Sequence, residues 1–229
     1  MSAIASNLQA VRSRIDKAAL ASGRNPQSVS LLAVSKTWAA ANVIEAARVG
    51  QRAFGENYAQ EAIDKILACA DLALEWHFIG PLQGNKTRLV AEHFDWVHSV
   101  ERLKIADRLS AQRPAGRPPL QVCVQVNISG ESSKSGCAPG DALDLCRAVA
   151  SLPNLRLRGL MGIPEPTDGF AAQRVPLRQL REIFDTVVTA GVPLDTLSMG
   201  MSHDLEAAVA EGATIVRIGT AIFGERTYA

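Results

Sequence analysis

Nothing in this chain is apolar for long enough to cross a bilayer. Its longest run without a charged residue, Pro118 to Gly130, carries two prolines and falls short of the ~20 residues of a membrane helix. A basic excess is missing as well: 24 Lys and Arg stand against 23 Asp and Glu, a formal charge of +1, so nucleic acid is not an expected partner. The four cysteines, at 69, 123, 137 and 146, form neither a CxxC pair nor a dense framework. The start, MSAIASNLQAVR, lacks the basic opening and apolar block of a secretory signal, and a reducing cytoplasm is the expected setting. The histidines at 77, 93, 98 and 203 have no carboxylate or cysteine at ligand spacing, and HExxH and GxSxG are both absent. That argues against a metal site and against a nucleophile elbow. GESSKSG at 130–136 departs from the order GxxxxGK[ST] of a phosphate-binding loop and reads as a plain loop.

What remains is the composition of a compact globular protein. At 229 residues and 47% hydrophobic content, the chain buries roughly 70% of its unfolded surface, and one domain spanning 1–229 is expected. Ile4, Leu8, Val11 and Ile15 form one stripe of an amphipathic helix that ends before Gly23 and Asn25-Pro26. From Leu31 short apolar runs alternate with helical patterns. The runs are LLAVS, RAFG, WHFIG, DWVHSV, LQVCVQVNI, LRLRGLMGI, DTLSM and TIVRIG, and the Pro-rich segment Arg113 to Pro119 reads as a loop between a helix and a strand. Eight β–α units in this length predict an α/β fold, a closed (β/α)8 TIM barrel with an extra N-terminal helix. An open doubly wound sheet is the alternative.

Such barrels gather their chemistry at the C-terminal ends of the strands. That rule selects Lys36, Gly55-Glu56-Asn57, Gly80 to Gln83, His98-Ser99, Asn127, Met161, Ser198 to Ser202, and Arg217 with Gly219-Thr220. Lys36 ends an apolar strand, and partial desolvation there favours the neutral amine that imine formation needs; a solvated strand-end lysine is the plain alternative. LSMGMS joins a strand to a helical pattern, with Gly200 permitting close approach and Ser202 able to cap. Gly219-Thr220 opens a short extra helix, so the two loops form a candidate phosphate site. Arg217 lies on an otherwise apolar strand and must meet a partner, either Glu56 or another acid at the barrel end, or a ligand nitrogen. His77 reads as a hydrogen-bonded core histidine.

These residues lie in seven ordered blocks: LLAVSKT around Lys36, FGENYAQE at 54–61, WHFIGPLQGNK at 76–86, VNISGESSKSG at 126–136, RGLMGIP at 158–164, LSMGMSHD at 197–204 and VRIGTAIFGER at 216–226. On them the chain resembles, nearly end to end, the pyridoxal phosphate homeostasis proteins, a family related to the barrel domain of bacterial alanine racemase. The resemblance implies pyridoxal 5′-phosphate held as a Schiff base on Lys36, with Asn57 near the ring. It implies Ser198, Met201, Ser202, Gly219 and Thr220 as the phosphate cradle, and Arg217 as partner of the pyridine nitrogen. It also implies a role in buffering or delivering the cofactor, with pyridoxal phosphate-dependent apoenzymes as recipients, in place of catalytic turnover; a monomer is expected. Trp38-Ala39 stands where the family commonly has a proline, which leaves the start of the next helix open, and His203 stands where an acidic or small polar residue is frequent.

Two further functions compete. An amino-acid racemase of the alanine racemase type would need a second base from an additional β domain, and the chain's end at Thr227 to Ala229 is expected to leave no room for one. A class I aldolase would need a carboxylate acid/base on a barrel strand, for which Glu56 is the residue to test.

Overall fold

A computed structural model describes residues 2–130 and 135–225. Helix α1 (Ala3–Ala21) opens on Ser2, whose hydroxyl accepts a hydrogen bond from the Ala5 N–H, and it buries the predicted stripe of Ile4, Leu8, Val11 and Ile15. Then come β1 (Ser30–Val34), α2 (Ala40–Arg48), β2 (Ala53–Glu56), α3 (Ala59–Ala68), β3 (Glu75–Phe78), α4 (Thr87–His93), β4 (Trp96–Val100), α5 (Leu103–Gln112) and β5 (Leu120–Gln125). The second half adds α6 (Ala142–Ala150), β6 (Leu155–Met161), α7 (Phe170–Thr189), β7 (Thr196–Ser198), α8 (Leu205–Ala210), β8 (Ile215–Ile218) and α9 (Thr220–Phe223). Every neighbouring pair of strands is parallel, and β8 pairs back onto β1, so the sheet closes into a barrel and the open alternative is excluded.

The strand pleat sorts side chains between two cores. Ala33, Phe54, Trp76, Phe78, Val97, Val122, Leu160, Leu197, Val216 and Ile218 turn outward and join the core beneath the helices. The alternating positions face inward, where Trp96, Cys123 and Met161 form a separate apolar cluster. Element edges shift from expectation by a few residues, as fraying ends do. The helix near 139 starts as a 3-10 turn over Pro139–Asp141. The Pro-rich loop is pinned by buried Arg113, which donates to the Ala91 and Phe94 carbonyls at 2.7 Å and to Pro118 at 2.9 Å.

Among the described residues no helix is long and apolar enough to cross a membrane. The four cysteines are free thiols. Residues 131–134 of the GESSKSG loop, and Arg226 of the last sequence block, lie outside the described residues.

Helix α8 is tied to α7 through Glu211, which accepts from Arg174 at 2.5 Å and Arg178 at 3.0 Å. Burial works against its charge, but those hydrogen bonds outweigh burial and hold its carboxyl below the ordinary 4.5. A group held low in the folded state adds stability above the unfolded value, and this fades as pH falls through the folded value. Glu211→Gln is therefore expected to cost about 1 kcal/mol at neutral pH. The difference should shrink on going to acid pH, as Glu211 takes up a proton and both chains come to carry an uncharged residue. Denaturant unfolding at neutral and acid pH checks both parts.

Candidate functional site

Lys36 lies two residues past Val34, the last strand-paired position of β1. Ser35 still donates its N–H to the Gly55 carbonyl at 3.0 Å and turns its hydroxyl outward to Glu56 at 2.6 Å, so the pleat carries half-buried Lys36 to the barrel side. The turn is bracketed from behind. Buried Lys65 of α3 donates to the Ser35 carbonyl at 2.7 Å, to Glu56 at 2.9 Å and to Glu61 at 2.6 Å, while Glu61 accepts the Thr37 N–H at 2.6 Å. Thr37 has φ 69°, a left-handed conformation that a β-branched residue adopts only when its surroundings impose it. Lysine 36 thus projects from backbone fixed on both sides by one ion cluster. Sequence reasoning missed Lys65 and Glu61; their i,i+4 spacing on a predicted helix was the available signal.

Glu56 is fully buried in that cluster, toward the helix layer, with one carboxylate oxygen unpartnered. Burial raises its pKa against the field of Lys65. Two alternatives left open by the sequence close here. Glu56 does not point into the barrel as an acid/base for aldolase chemistry, and it is not the partner of Arg217. A one-residue change of pleat separates it from the inward neighbours Gly55 and Asn57.

Arg217 points into the barrel from β8, buried, and donates to the Ser198 hydroxyl at 2.9 Å and to the Gly162 carbonyl at 3.0 Å. Among the described residues no carboxylate forms an ion pair with it. Burial lowers its guanidinium to about 10, with Asp204 and Cys123 opposing, so it remains cationic. Ser198 is in turn 2.8 Å from His98 Nδ1, across the barrel from β7 to β4. Its hydroxyl is therefore engaged at the Arg217 end of the site.

The two predicted loops meet at the rim. Gly200 has φ 93° and lies against Ala208, so that a Cβ there would overlap α8, and its carbonyl accepts the Arg217 N–H at 2.9 Å. The Met201 N–H is taken by Asp204 at 2.6 Å. Gly219 packs on the Val34 carbonyl at the end of β1 and begins α9, where the Thr220 and Ala221 N–H groups donate to no group among the described residues. Trp38 stacks on Phe223 of α9 at 5.9 Å, which joins the Lys36 turn to this loop. Helix α2 then starts at Ala40 without a side-chain cap, in the absence of the proline. Asn57 adds a buried carbonyl oxygen with no partner, and Gly80 abuts its backbone too closely for any Cβ. Ser99, at the same end of β4, has a buried unpartnered hydroxyl. His203 is exposed, 3.2 Å from the Thr167 carbonyl, as a surface histidine. His77 is the hydrogen-bonded core histidine expected of it.

A family model described as "Alanine racemase, N-terminal domain" matches residues 1–227. The chain is 64% identical over 228 residues to the pyridoxal phosphate homeostasis protein of Pseudomonas aeruginosa, covering 100% of this chain and 98% of that one. It is 55% identical over 231 residues to the protein of the same name from Escherichia coli, covering 100% and 99%. Among solved structures, PipY of Synechococcus elongatus with PLP bound superposes with a TM-score of 0.84 at 39% identity, over 96% of this chain and 100% of that one. An alanine racemase from Clostridium difficile shares the fold, with a TM-score of 0.73 at 16% identity, over 97% of this chain and 58% of that one.

Removing the Lys65 ammonium leaves the Glu56 carboxylate buried without a counter-charge. Lys65→Met is expected to cost about 3–5 kcal/mol, and Glu56→Gln added to it should recover part of that loss. Urea unfolding of both variants measures it; equal stabilities for Lys65→Met and the double variant would show that Glu56 has no need of its partner.

Proposed function

Because the chain belongs to the family of the alanine racemase N-terminal domain, we propose that it holds pyridoxal 5′-phosphate at the C-terminal mouth of its barrel and serves pyridoxal phosphate homeostasis, by buffering or delivery. The observation that carries this reading is Arg217: a buried cation in contact only with neutral acceptors, among the described residues, at the strand ends where Lys36 also emerges. The residues fit the group. Asn57 brings an orphaned buried acceptor, and the start of α9 brings two unused N–H groups suited to a phosphate.

In this reading Lys36 is the covalent attachment point, Asn57 lies beside the ring, and Arg217 faces the pyridine nitrogen. Gly219 and Thr220, with Ser202, receive the phosphate. Ser198 acts from the Arg217 end through its hydroxyl, and Met201 shapes the loop, since Asp204 already holds its N–H. The bound cofactor supplies a reactive aldehyde and a ring that can withdraw electrons. A cationic arginine opposite the ring nitrogen keeps that nitrogen unprotonated and weakens the withdrawal, which suits storage better than amino-acid turnover. The proposed setting is a reducing cytoplasm, in which the four thiols stay free. Apoenzymes that use the cofactor are the proposed recipients, and the monomer is the proposed working form.

Borohydride reduction of protein loaded with pyridoxal phosphate, followed by peptide mass mapping, is expected to place the label on Lys36 alone. Label on lysine 17, 65, 86, 104 or 134 contradicts the assignment. Lys36→Ala should abolish labelling and leave the thermal midpoint nearly unchanged, because it deletes a rim amine and no core volume. Chiral analysis after long incubation with amino acids is expected to match free cofactor; faster turnover, lost in Lys36→Ala, would establish a racemase.

A further inference from the structure

Behind Ser198 and Arg217 the barrel interior continues in a row of polar groups, His98, His77 and Glu75, that the proposed function does not use. Glu75 lies at the N-terminal end, in a cavity of about 430 Å³ lined also by Ser30, Leu32, Arg158 and Thr214. Its side chain is 51% exposed, and it is 2.7 Å from His77 Nε2. His77 Nδ1 is 2.9 Å from His98 Nε2, His98 Nδ1 is 2.8 Å from the Ser198 hydroxyl, and that hydroxyl accepts from Arg217. The row therefore runs from solvent at one end of the barrel to the proposed cofactor site at the other. Both histidines are almost wholly buried, and His77 is stacked on Trp96 at 5.2 Å.

Donor and acceptor counting leaves one arrangement for the uncharged row. Glu75 as a carboxylate only accepts, so His77 carries its proton on Nε2 and must accept at Nδ1. His98 then donates from Nε2 and accepts at Nδ1 from the Ser198 hydroxyl, whose lone pair accepts from Arg217. Every hydrogen bond points from Arg217 toward Glu75. One added proton reverses the middle of the row. A proton reaching Ser198 from the cofactor side lets its hydroxyl proton pass to His98 Nδ1, and the Nε2 proton of His98 pass to His77 Nδ1. His77 becomes an imidazolium against Glu75, His98 stays neutral as the other tautomer, and Ser198 keeps a hydroxyl proton that now points away from His98. The count balances at one proton taken up.

We propose that Glu75, His77 and His98 are positioning residues that set the direction of the Ser198 hydroxyl beside Arg217, and that proton uptake at His77 reverses that direction at the cofactor site. The inference rests on the proposed function for its readout at the cofactor, but the row itself does not depend on it. Facing His77 are Glu75 from its own strand, Trp96 and His98 from β4, Arg158 from β6 and Asp195 just before β7. Arg158 is neutralised by Asp195 at 2.9 Å and lies 4.8 Å over the Trp96 ring. Facing His98 are His77, Ser198 and Arg217, and Arg217 feels Asp204 and Cys123. Burial, with His77 and Arg217, holds His98 well below the ordinary imidazole range, which suits it to a neutral place in the row.

Nitrogen NMR of isotope-labelled histidine in the full chain, without added cofactor, reads the tautomers directly. At high pH both His77 and His98 should carry the proton on Nε2; on acidification His98 should change to Nδ1 with the same midpoint at which His77 charges. Glu75→Gln, a change at a half-exposed position, should move that midpoint down by about one pH unit or more. Protein loaded with pyridoxal phosphate should show a change in visible absorbance at the wild-type midpoint, absent in His77→Gln. His98 protonated on Nδ1 at high pH, a tautomer that stays fixed while His77 titrates, or an unmoved midpoint in Glu75→Gln overturns the relay. An absorbance that ignores a switch seen by NMR overturns its coupling to the cofactor site. Should no pyridoxal phosphate bind at all, the proposed function fails and the tautomers alone decide the relay.

Discussion

The ammonium of Lys65 meets three chain segments at one point beneath the barrel wall: the Ser35 carbonyl at the end of β1, Glu56 at the end of β2, and Glu61 on its own helix. Through Glu61 it also fixes the Thr37 N–H, and with it a positive φ that threonine disfavours. A buried ion pair of this kind costs desolvation, so it gives little net stability over a well-packed apolar substitute. What it does give is direction. With Ser35 held outward and Thr37 held in a left-handed turn, the intervening lysine leaves the backbone toward the barrel side, so the placement of its amine, the proposed attachment point, is set by a charge cluster outside the barrel.

The inside of the barrel obeys a different constraint. Branched apolar residues usually fill such interiors. Here Trp96, Cys123 and Met161 share the space with His77, His98, Ser198 and Arg217. Buried polar atoms are tolerable when each finds a partner, and a neutral imidazole, with one donor and one acceptor nitrogen, is suited to a row. The row ends on the Glu75 carboxylate at one side and on Arg217 at the other, and the charge of Arg217 is met by no contacting acid among the described residues. In the proposed reading, the ring nitrogen that Arg217 would meet answers a charge left by how the middle of the barrel is filled.

Much of this was open to reading from the sequence, and the omissions have physical causes. The apolar run before Lys36, the glycines at 200 and 219 and the lone arginine in an apolar strand each state their own position, and the barrel rule places them at one end. Glu56 was misread because a four-residue strand leaves the pleat phase open, and a shift by one position exchanges inside for outside. The partners of Ser198 could not be found by spacing, since His98 lies 100 residues away and is reached across the barrel. The Trp38–Phe223 stack likewise joins the two ends of the chain, and only closure of β8 onto β1 brings them together.

The two anchoring systems share no residue. The Lys65 cluster stands between β1, β2 and α3 on the outer side of the wall, and the histidine row crosses the interior from β3 and β4 to β7 and β8. One governs the lysine end of the proposed site and the other its arginine end. Groups without common partners act nearly independently in free energy. In the proposed reading, the aldehyde and the ring nitrogen at opposite ends of the cofactor would be addressed by separate networks, so that the hold on the ring could change without altering the proposed point of covalent attachment.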